Sequence, residues 1–277
     1  GFQVFHIQQL KSISSMERKK IGLALSGGGA RGFAHVGVLK VLAEHNIPID
    51  MIAGTSAGSV VGGALAAGMS VDEIVAMTQK VRFSNLIRPS LSIGGMLSNA
   101  PLGNFLRRHF PVTRFEDLAI PFAAVAYDPA NGETVILKDS GDLITAIRAS
   151  CSVPGLFAPV KDADGRRLVD GGVTMVMPVD VVREMGADIV IAVDVLTCGE
   201  RFESSARNGL SIAVRSVLTL IRATSLHQHQ HADVVIVPQV AHLRPDQIGK
   251  RDEFIELGGQ AALSHIDEIK SLLDLDS

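Results

Sequence analysis

Twice between Ile21 and Ala67 the chain runs from a short apolar stretch, through a glycine-rich turn, straight into a helical pattern. Ile21 to Leu25 leads into Gly27-Gly-Gly-Ala-Arg-Gly32, followed by apolar residues at helical spacing to His45 and a stop at Asn46 to Pro48. Met51 to Ala53 leads into Gly54-Thr-Ser-Ala-Gly58 and a small-residue helix over Ala57 to Ala67. Strand, tight turn and helix in repetition specify a parallel sheet covered on both faces. Later segments keep the alternation, with strands at Ile189 to Asp194 and Val234 to Val237 and helices around Val179 to Met185 and Leu210 to Leu226. Ser70-Val-Asp-Glu73 has the form of a capping box opening another helix. Asp128-Pro-Ala-Asn-Gly132 is a hairpin turn between Ile120 to Tyr127 and Glu133 to Leu137. Gln260 to Leu273 reads as a final amphipathic helix. The expected fold is a three-layer α/β/α domain with a mostly parallel central sheet. With no internal repeat and no long polar linker, it is one domain over residues 20–277. Residues 1–19 form an N-terminal arm or an appended remnant. Phe83 to Ser98, rich in Ser, Gly and Pro, is either a mobile cover over a site or an ordinary surface loop.

Composition removes whole classes of function. The 277 residues are 47% hydrophobic and 20% charged, which is ordinary for a globular chain. A formal charge of −3 offers no basic footprint for nucleic acid. Two cysteines, Cys151 and Cys198, make no disulfide framework and fit a reducing compartment. No apolar run reaches the ~20 residues that span a bilayer. The expected setting is cytoplasmic, with peripheral contact at a membrane.

Three elements carry chemistry. In Gly54-Thr-Ser-Ala-Gly58, Ser56 stands between strand and helix, where a sharp turn exposes its Oγ, provided the residues two positions either side have no Cβ. The bland alternative is a glycine-rich turn with a helix-capping serine. Gly27, Gly28, Gly29, Ala30, Arg31 and Gly32 can cradle an anion with backbone N–H groups. They form an oxyanion hole, a dinucleotide loop of the G-x-G-x-x-G kind, or a structural turn. A dinucleotide loop wants an acid at the end of the second strand, whereas Asp50 precedes that strand. Third, Asp170-Gly171-Gly172 follows the apolar pair Leu168-Val169, as either a catalytic acid at a strand end or a plain surface turn.

Together and in this order, these elements resemble the patatin-like phospholipase family over Lys20 to Asp194. So does the block Ile147-Arg-Ala-Ser-Cys-Ser-Val-Pro-Gly-Leu-Phe-Ala-Pro159. The resemblance implies a patatin-like variant of the α/β-hydrolase type. In that reading Ser56 is the nucleophile, Asp170 its base, Gly27 to Gly32 the oxyanion loop, and a phospholipid or lysophospholipid ester the substrate. The same dyad would also serve an acyltransferase, and a non-catalytic lipid- or nucleotide-binding protein is the contrasting class. The family often places an asparagine before a proline after Asp-Gly-Gly. Here the run is Val173-Thr-Met-Val-Met-Pro178, which leaves the polar support of Asp170 unassigned.

A Ser-His-Asp triad would need one of His227, His229, His231, His242 or His265, whereas the resemblance implies a Ser–Asp pair without histidine. His35 is expected to pack or cap beside the glycine loop. His227-Gln-His-Gln-His231 has two histidines four apart but lacks the glutamate of H-E-x-x-H, so no metal and no cofactor is expected. Cys151 is expected to be a small core residue.

Overall fold

The computed structural model describes residues 18–90, 95–198 and 209–273. The expected N-terminal arm lies outside them except for its last two residues. β1 (Ile21–Leu25) reaches α1 (Phe33–Glu44) through a 3₁₀ turn at Gly29–Gly32. β2 (Met51–Thr55), α2 (Ala57–Ala66) and α3 (Val71–Gln79) follow, the last opened by a capping box between Ser70 and Glu73. An excursion then holds α4 (Phe83–Leu86), the small hairpin β3 (Arg88–Pro89) and β4 (Leu97–Ser98), and α5 (Ala100–His109). β5 (Phe122–Asp128) and β6 (Glu133–Lys138) form the expected hairpin. After α6 (Leu143–Ser150) comes a second hairpin, β7 (Val160–Lys161) and β8 (Arg167–Asp170). The chain continues through α7 (Val179–Glu184), β9 (Ile189–Val193), α8 (Gly209–Gln228) and β10 (Val234–Ile236). It closes with α9 (Arg251–Leu263) and α10 (Ile266–Leu272).

β10, β9, β1, β2 and β5 lie side by side and parallel. β1, β2 and β9 are buried at every residue, as strands covered on both faces must be. One apolar layer joins Leu23, Leu25 and Ile52 to α1, α6 and α9. The other joins Ala24, Ala53 and Val190 to α7 and to Ile221 of α8. Helices on both faces give the three-layer α/β/α architecture.

The register around β5 positions the site. β6 pairs with β5 from Ala123 to Asp128 and so fills one edge. On the other edge β2 pairs from Phe122 to Val125, and antiparallel β8 takes over at Ala126 and Tyr127. β2 and β8 therefore run toward each other along a single edge. Thr55, the last residue of β2, stands opposite Val125, and Asp170, the last of β8, opposite Ala126. The two strand ends meet, bringing Ser56 and Asp170 to one place from 114 positions apart in sequence (170 − 56).

The C-terminal region differs from the single expected helix. α9 begins at Arg251 and ends at Leu263, and α10 starts afresh at Ile266. At the break, Ser264 Oγ donates to the Ala261 carbonyl at 2.8 Å, and the His265 Nδ1 lies 2.9 Å from that same oxygen. Such local side-chain bonds compete with the helical ladder. α9 lies on α1 at backbone contact: a Cβ on Gly37 would sit 1.8 Å from the Ile255 carbonyl oxygen, and one on Gly258 1.9 Å from that of Ala34.

Candidate active site

Ser56 has φ 52° and ψ −122°, a left-handed φ that non-glycine residues rarely adopt. Its backbone is pinned on both sides. The amide N–H donates to Ser150 Oγ at 2.8 Å. The carbonyl accepts from Ser59 N–H at 2.9 Å, from Val60 N–H at 3.3 Å and from Ser59 Oγ at 2.6 Å. The flanking glycines are steric necessities. A Cβ on Gly54 would lie 2.5 Å from the Gly58 carbonyl oxygen, and one on Gly58 would lie 2.2 Å from that of Leu25. Strand and helix can approach this closely only without those carbons. The Ala57 and Gly58 N–H groups, first in α2, have no acceptor among the described residues and stand at the positive end of the helix.

Asp170 is 2% exposed. Its N–H donates to the Ser152 carbonyl at 2.9 Å, and its Oδ1 accepts from Gly172 N–H at 2.8 Å. Oδ2 is buried without a hydrogen-bond partner among the described residues. Burial pushes the carboxyl up to about 6, while the Gly172 N–H and the Ser56 hydroxyl pull it back. Among the described residues Ser56 and Asp170 do not meet as a full hydrogen bond, and apo geometry of that kind does not rule a candidate pair out. Gly171 lets the turn pass β5, since a Cβ there would lie 2.5 Å from the Val125 carbonyl oxygen.

The residues between α6 and the second hairpin hold both partners at once. Ser150 Oγ binds the Ser56 N–H and the Ser152 carbonyl binds the Asp170 N–H. Cys151 lies between them, with Sγ 3.9 Å from Ser59 Oγ. Burial, then the charge of Asp170, pushes its thiol well above the usual cysteine range, so a thiolate is disfavoured. Polar support for the loop after Asp170 comes from α8. Gln228 Oε1 accepts from Met177 N–H at 2.8 Å, and its Nε2 donates to the Thr174 carbonyl at 3.2 Å. Nothing in the flanking sequence marks Ser150, Ser152 or Gln228, because each works through a partner distant along the chain.

The glycine loop lies against this elbow. A Cβ on Gly27 would be 3.2 Å from Ser56 Cβ, and one on Gly32 would be 2.5 Å from Ala57 Cβ. Three of its amides are used internally: Gly27 donates to Val176 at 3.1 Å, Ala30 to Pro245 at 2.7 Å, and Arg31 to Gly28 at 3.2 Å. Gly28 and Gly29 N–H have no acceptor among the described residues. Gly29 has φ 59°, and a Cβ there would lie 2.7 Å from the Pro245 carbonyl oxygen. The Arg31 side chain is buried and ties the loop to the segment after β10, with Nε donating to the Leu243 carbonyl at 3.0 Å.

His35, His229, His231, His242 and His265 bond elsewhere. His35 is fully buried with Nε2 2.8 Å from the Ser26 carbonyl oxygen, and burial holds it down at about 4, hence neutral at pH 7. His229 Nε2 lies 2.7 Å from Asp194 Oδ2, which also accepts from the buried Ser225 hydroxyl. Serine and histidine there bond to one carboxylate rather than to each other, so they form no relay. His231 pairs with Asp180, His242 with Glu253, and His265 with the Ala261 carbonyl. Among the described residues no histidine hydrogen-bonds Ser56 or Asp170, and no three His, Cys, Asp or Glu side chains converge as a metal-ligand set. Asp50 immediately precedes β2, at the end of the sheet away from the glycine loop, and there binds Arg18 and the Ile21 N–H.

An apolar cavity of about 300 Å³ opens beside the Asp170 turn. Val169 and Val173, which bracket Asp170-Gly-Gly172, line it together with Tyr127, Phe157 and Val217 of α8.

A family model described as Patatin-like phospholipase matches residues 23–183. An uncharacterized NTE family protein of Mycobacterium tuberculosis is 40% identical over 178 residues, 63% of this chain and 48% of that protein. Patatin-like phospholipase domain-containing protein 7 of Rattus norvegicus is 36% identical over 197 residues, 68% of this chain and 14% of that one. The chain spans about half the length, or less, of these curated relatives. Among solved structures, VipD from Legionella pneumophila superposes with a TM-score of 0.54 at 15% identity, over 91% of this chain and 67% of its own. The type III effector protein ExoU gives 0.51 at 13%, over 92% and 54%. At such identities these two show a shared fold.

Proposed function

Because this chain belongs to the patatin-like phospholipase family, matched over more than half its length, we propose that it is a serine acyl hydrolase of lipid carboxylic esters, with phospholipid or lysophospholipid as substrate. The observation that carries the reading is the meeting of β2 and β8 end to end. It sets a strained, half-buried Ser56 beside a buried carboxylate that has one oxygen without a hydrogen-bond partner among the described residues. In the proposed mechanism Asp170 Oδ2 takes the Ser56 proton as Oγ attacks the ester carbonyl. Negative charge develops on the carbonyl oxygen. The Gly28, Gly29 and Ala57 N–H groups are donors available to it, preorganised at a helix end. Asp170 then gives the proton to the leaving alcohol, and an acyl-Ser56 ester remains. Water, deprotonated by the same carboxylate, adds to the acyl carbon; the bond to Ser56 Oγ breaks, the proton returns from Asp170 to Oγ, and the acid is released. The apolar cavity beside the Asp170 turn is suited to an acyl chain, being lined by valine, aromatic and proline side chains.

A pKa near 6 suits the base, which is then largely ionised at neutral pH yet more basic than an exposed aspartate. Ser56→Ala should abolish hydrolysis of a short p-nitrophenyl ester while leaving the circular dichroism spectrum and melting temperature near wild type. Turnover at the wild-type rate by that folded variant would remove Ser56 from the chemistry.

A further inference from the structure

From Ile74 through Phe115 the chain contains no aspartate or glutamate, yet it carries Lys80, Arg82, Arg88, Arg107, Arg108 and Arg114. In a chain of net charge −3 this is a local reversal of sign. The fold gathers part of it. Arg88 pairs in register with Ser98, next to Asn99, whose Oδ1 accepts from Arg148 Nε at 3.2 Å. The Arg148 stem packs over Gly103 of α5, where a Cβ would lie 2.5 Å from Arg148 Cδ, and Arg107 is one turn further along that helix. Burial first, then the Arg107 and Arg88 charges, lower the Arg148 pKa, with Asp142 opposing. Asp142 is the carboxylate that pairs with Arg107.

The same excursion exposes large apolar side chains. Phe83 on α4 is 54% exposed and Met96, beside β4, is 49% exposed. Its base adjoins the cavity: Leu97 N–H donates to the Leu156 carbonyl at 3.0 Å, and Ala158 N–H donates to that of Leu97 at 2.8 Å, on either side of the cavity-lining Phe157. Cations interleaved with exposed apolar groups match a surface that is anionic outside and hydrocarbon beneath. No helix among the described residues is long and apolar enough to cross a membrane, so contact by this face would be peripheral.

We propose that the face formed by α4, β3, β4 and α5, with Arg88, Arg107, Arg148, Phe83 and Met96, docks the chain on an anionic phospholipid bilayer. This deepens the lipid-hydrolase reading, since it would bring the acyl cavity to its substrate, but its test is independent of turnover. The chain is sedimented with large vesicles of phosphatidylcholine alone and of phosphatidylcholine with phosphatidylserine. Binding is expected on the mixed vesicles, weak on the neutral ones, and lost at high salt. At about 1 kcal/mol per cation, Arg88→Gln should lower the partition coefficient roughly fivefold and Arg88→Glu roughly thirtyfold. Phe83→Ser with Met96→Ser should lower it tenfold or more through lost apolar burial. All three variants should hydrolyse a soluble short ester at the wild-type rate. Ser56→Ala should bind vesicles like wild type, which separates failure of docking from failure of the hydrolase reading. Equal binding to both vesicle types, or full binding by Arg88→Glu, would overturn the proposal. So would single-stranded DNA bound as tightly as the mixed vesicles and without need of Phe83 and Met96, which would mark a site for soluble polyanions.

Discussion

Asp170 carries its charge at a cost, and that cost has a sign that can be measured. Burial lifts its folded pKa from 3.8 to about 6. A raised carboxyl contributes stability that is fully present below the unfolded pKa and lost as pH rises through the folded one. The difference of about two units corresponds to about 3 kcal/mol. Asp170→Asn should therefore melt at the same temperature as wild type or several degrees higher at pH 8, with the gap closing toward pH 4. Thermal scans at the two pH values check it, and a variant less stable at pH 8 would contradict the assigned burial cost. In wild type, kcat/KM on a soluble ester should rise with pH through about 6 and then level. At Gly29, a Cβ would combine a φ of 59° with a 2.7 Å approach to the Pro245 oxygen, so Gly29→Ala should displace the donor loop. Losing one such donor lowers kcat by ~10²–10³; an unchanged kcat would move the oxyanion donors elsewhere. Gly54 and Gly58 were legible in the sequence because their requirement is local, a strand and helix in backbone contact across four residues. Ser150 and Gln228 were not, because their bonds span 94 and 51 positions and nothing in the flanking residues marks the partner.

Among elements, the segment Ser150 to Ser152 holds the backbones of Ser56 and Asp170, the proposed nucleophile and base. Ser150→Ala would remove the acceptor of the Ser56 N–H at the strained elbow. A buried amide left unsatisfied costs about 1–3 kcal/mol. We expect kcat to fall roughly tenfold or more with KM nearly unchanged, since the loss acts on the nucleophile's position rather than on lipid contacts. A variant with raised KM and normal kcat would instead place Ser150 at the substrate. The parallel strands, the hairpin at Asp128 to Gly132 and the capped α3 could be read from burial pattern, turn chemistry and the Ser70–Glu73 spacing. The β2–β8 meeting could not, because antiparallel pairing of β8 with β5 joins positions more than forty apart and depends on which edge β6 has filled. Nor could the full length of α9. Its contact with α1 runs through Gly37 and Gly258, which a count of apolar residues does not see. Gly258→Val should lower the melting temperature sharply, since overpacking costs at least 1–3 kcal/mol and the obstruction here is backbone at 1.9 Å.

For the molecule as a whole, sheet topology gathers the glycine loop and Ser56 at the carboxyl ends of β1 and β2, where α/β proteins bind their ligands. α8 closes this end from one side: Val217 lines the cavity, Gln228 holds the loop after Asp170, and Ser225 anchors the helix to Asp194 at the end of β9. His229 meets the same carboxylate, so it too serves this anchorage, and in the proposed mechanism Asp170 is left as the group that accepts the Ser56 proton. That two-residue unit is the central claim. The measurement that tests it most directly is the rate of labelling by a fluorophosphonate across pH, with the modified residue mapped by mass spectrometry. It should be run on wild type, Asp170→Asn, His35→Ala and His229→Ala. A Ser–Asp dyad predicts a single label on Ser56 whose rate rises through pH about 6, near-complete loss in Asp170→Asn, and histidine variants within about tenfold of wild type, or about 1.4 kcal/mol. A label on another residue, or a folded histidine variant as unreactive as Asp170→Asn, would contradict it.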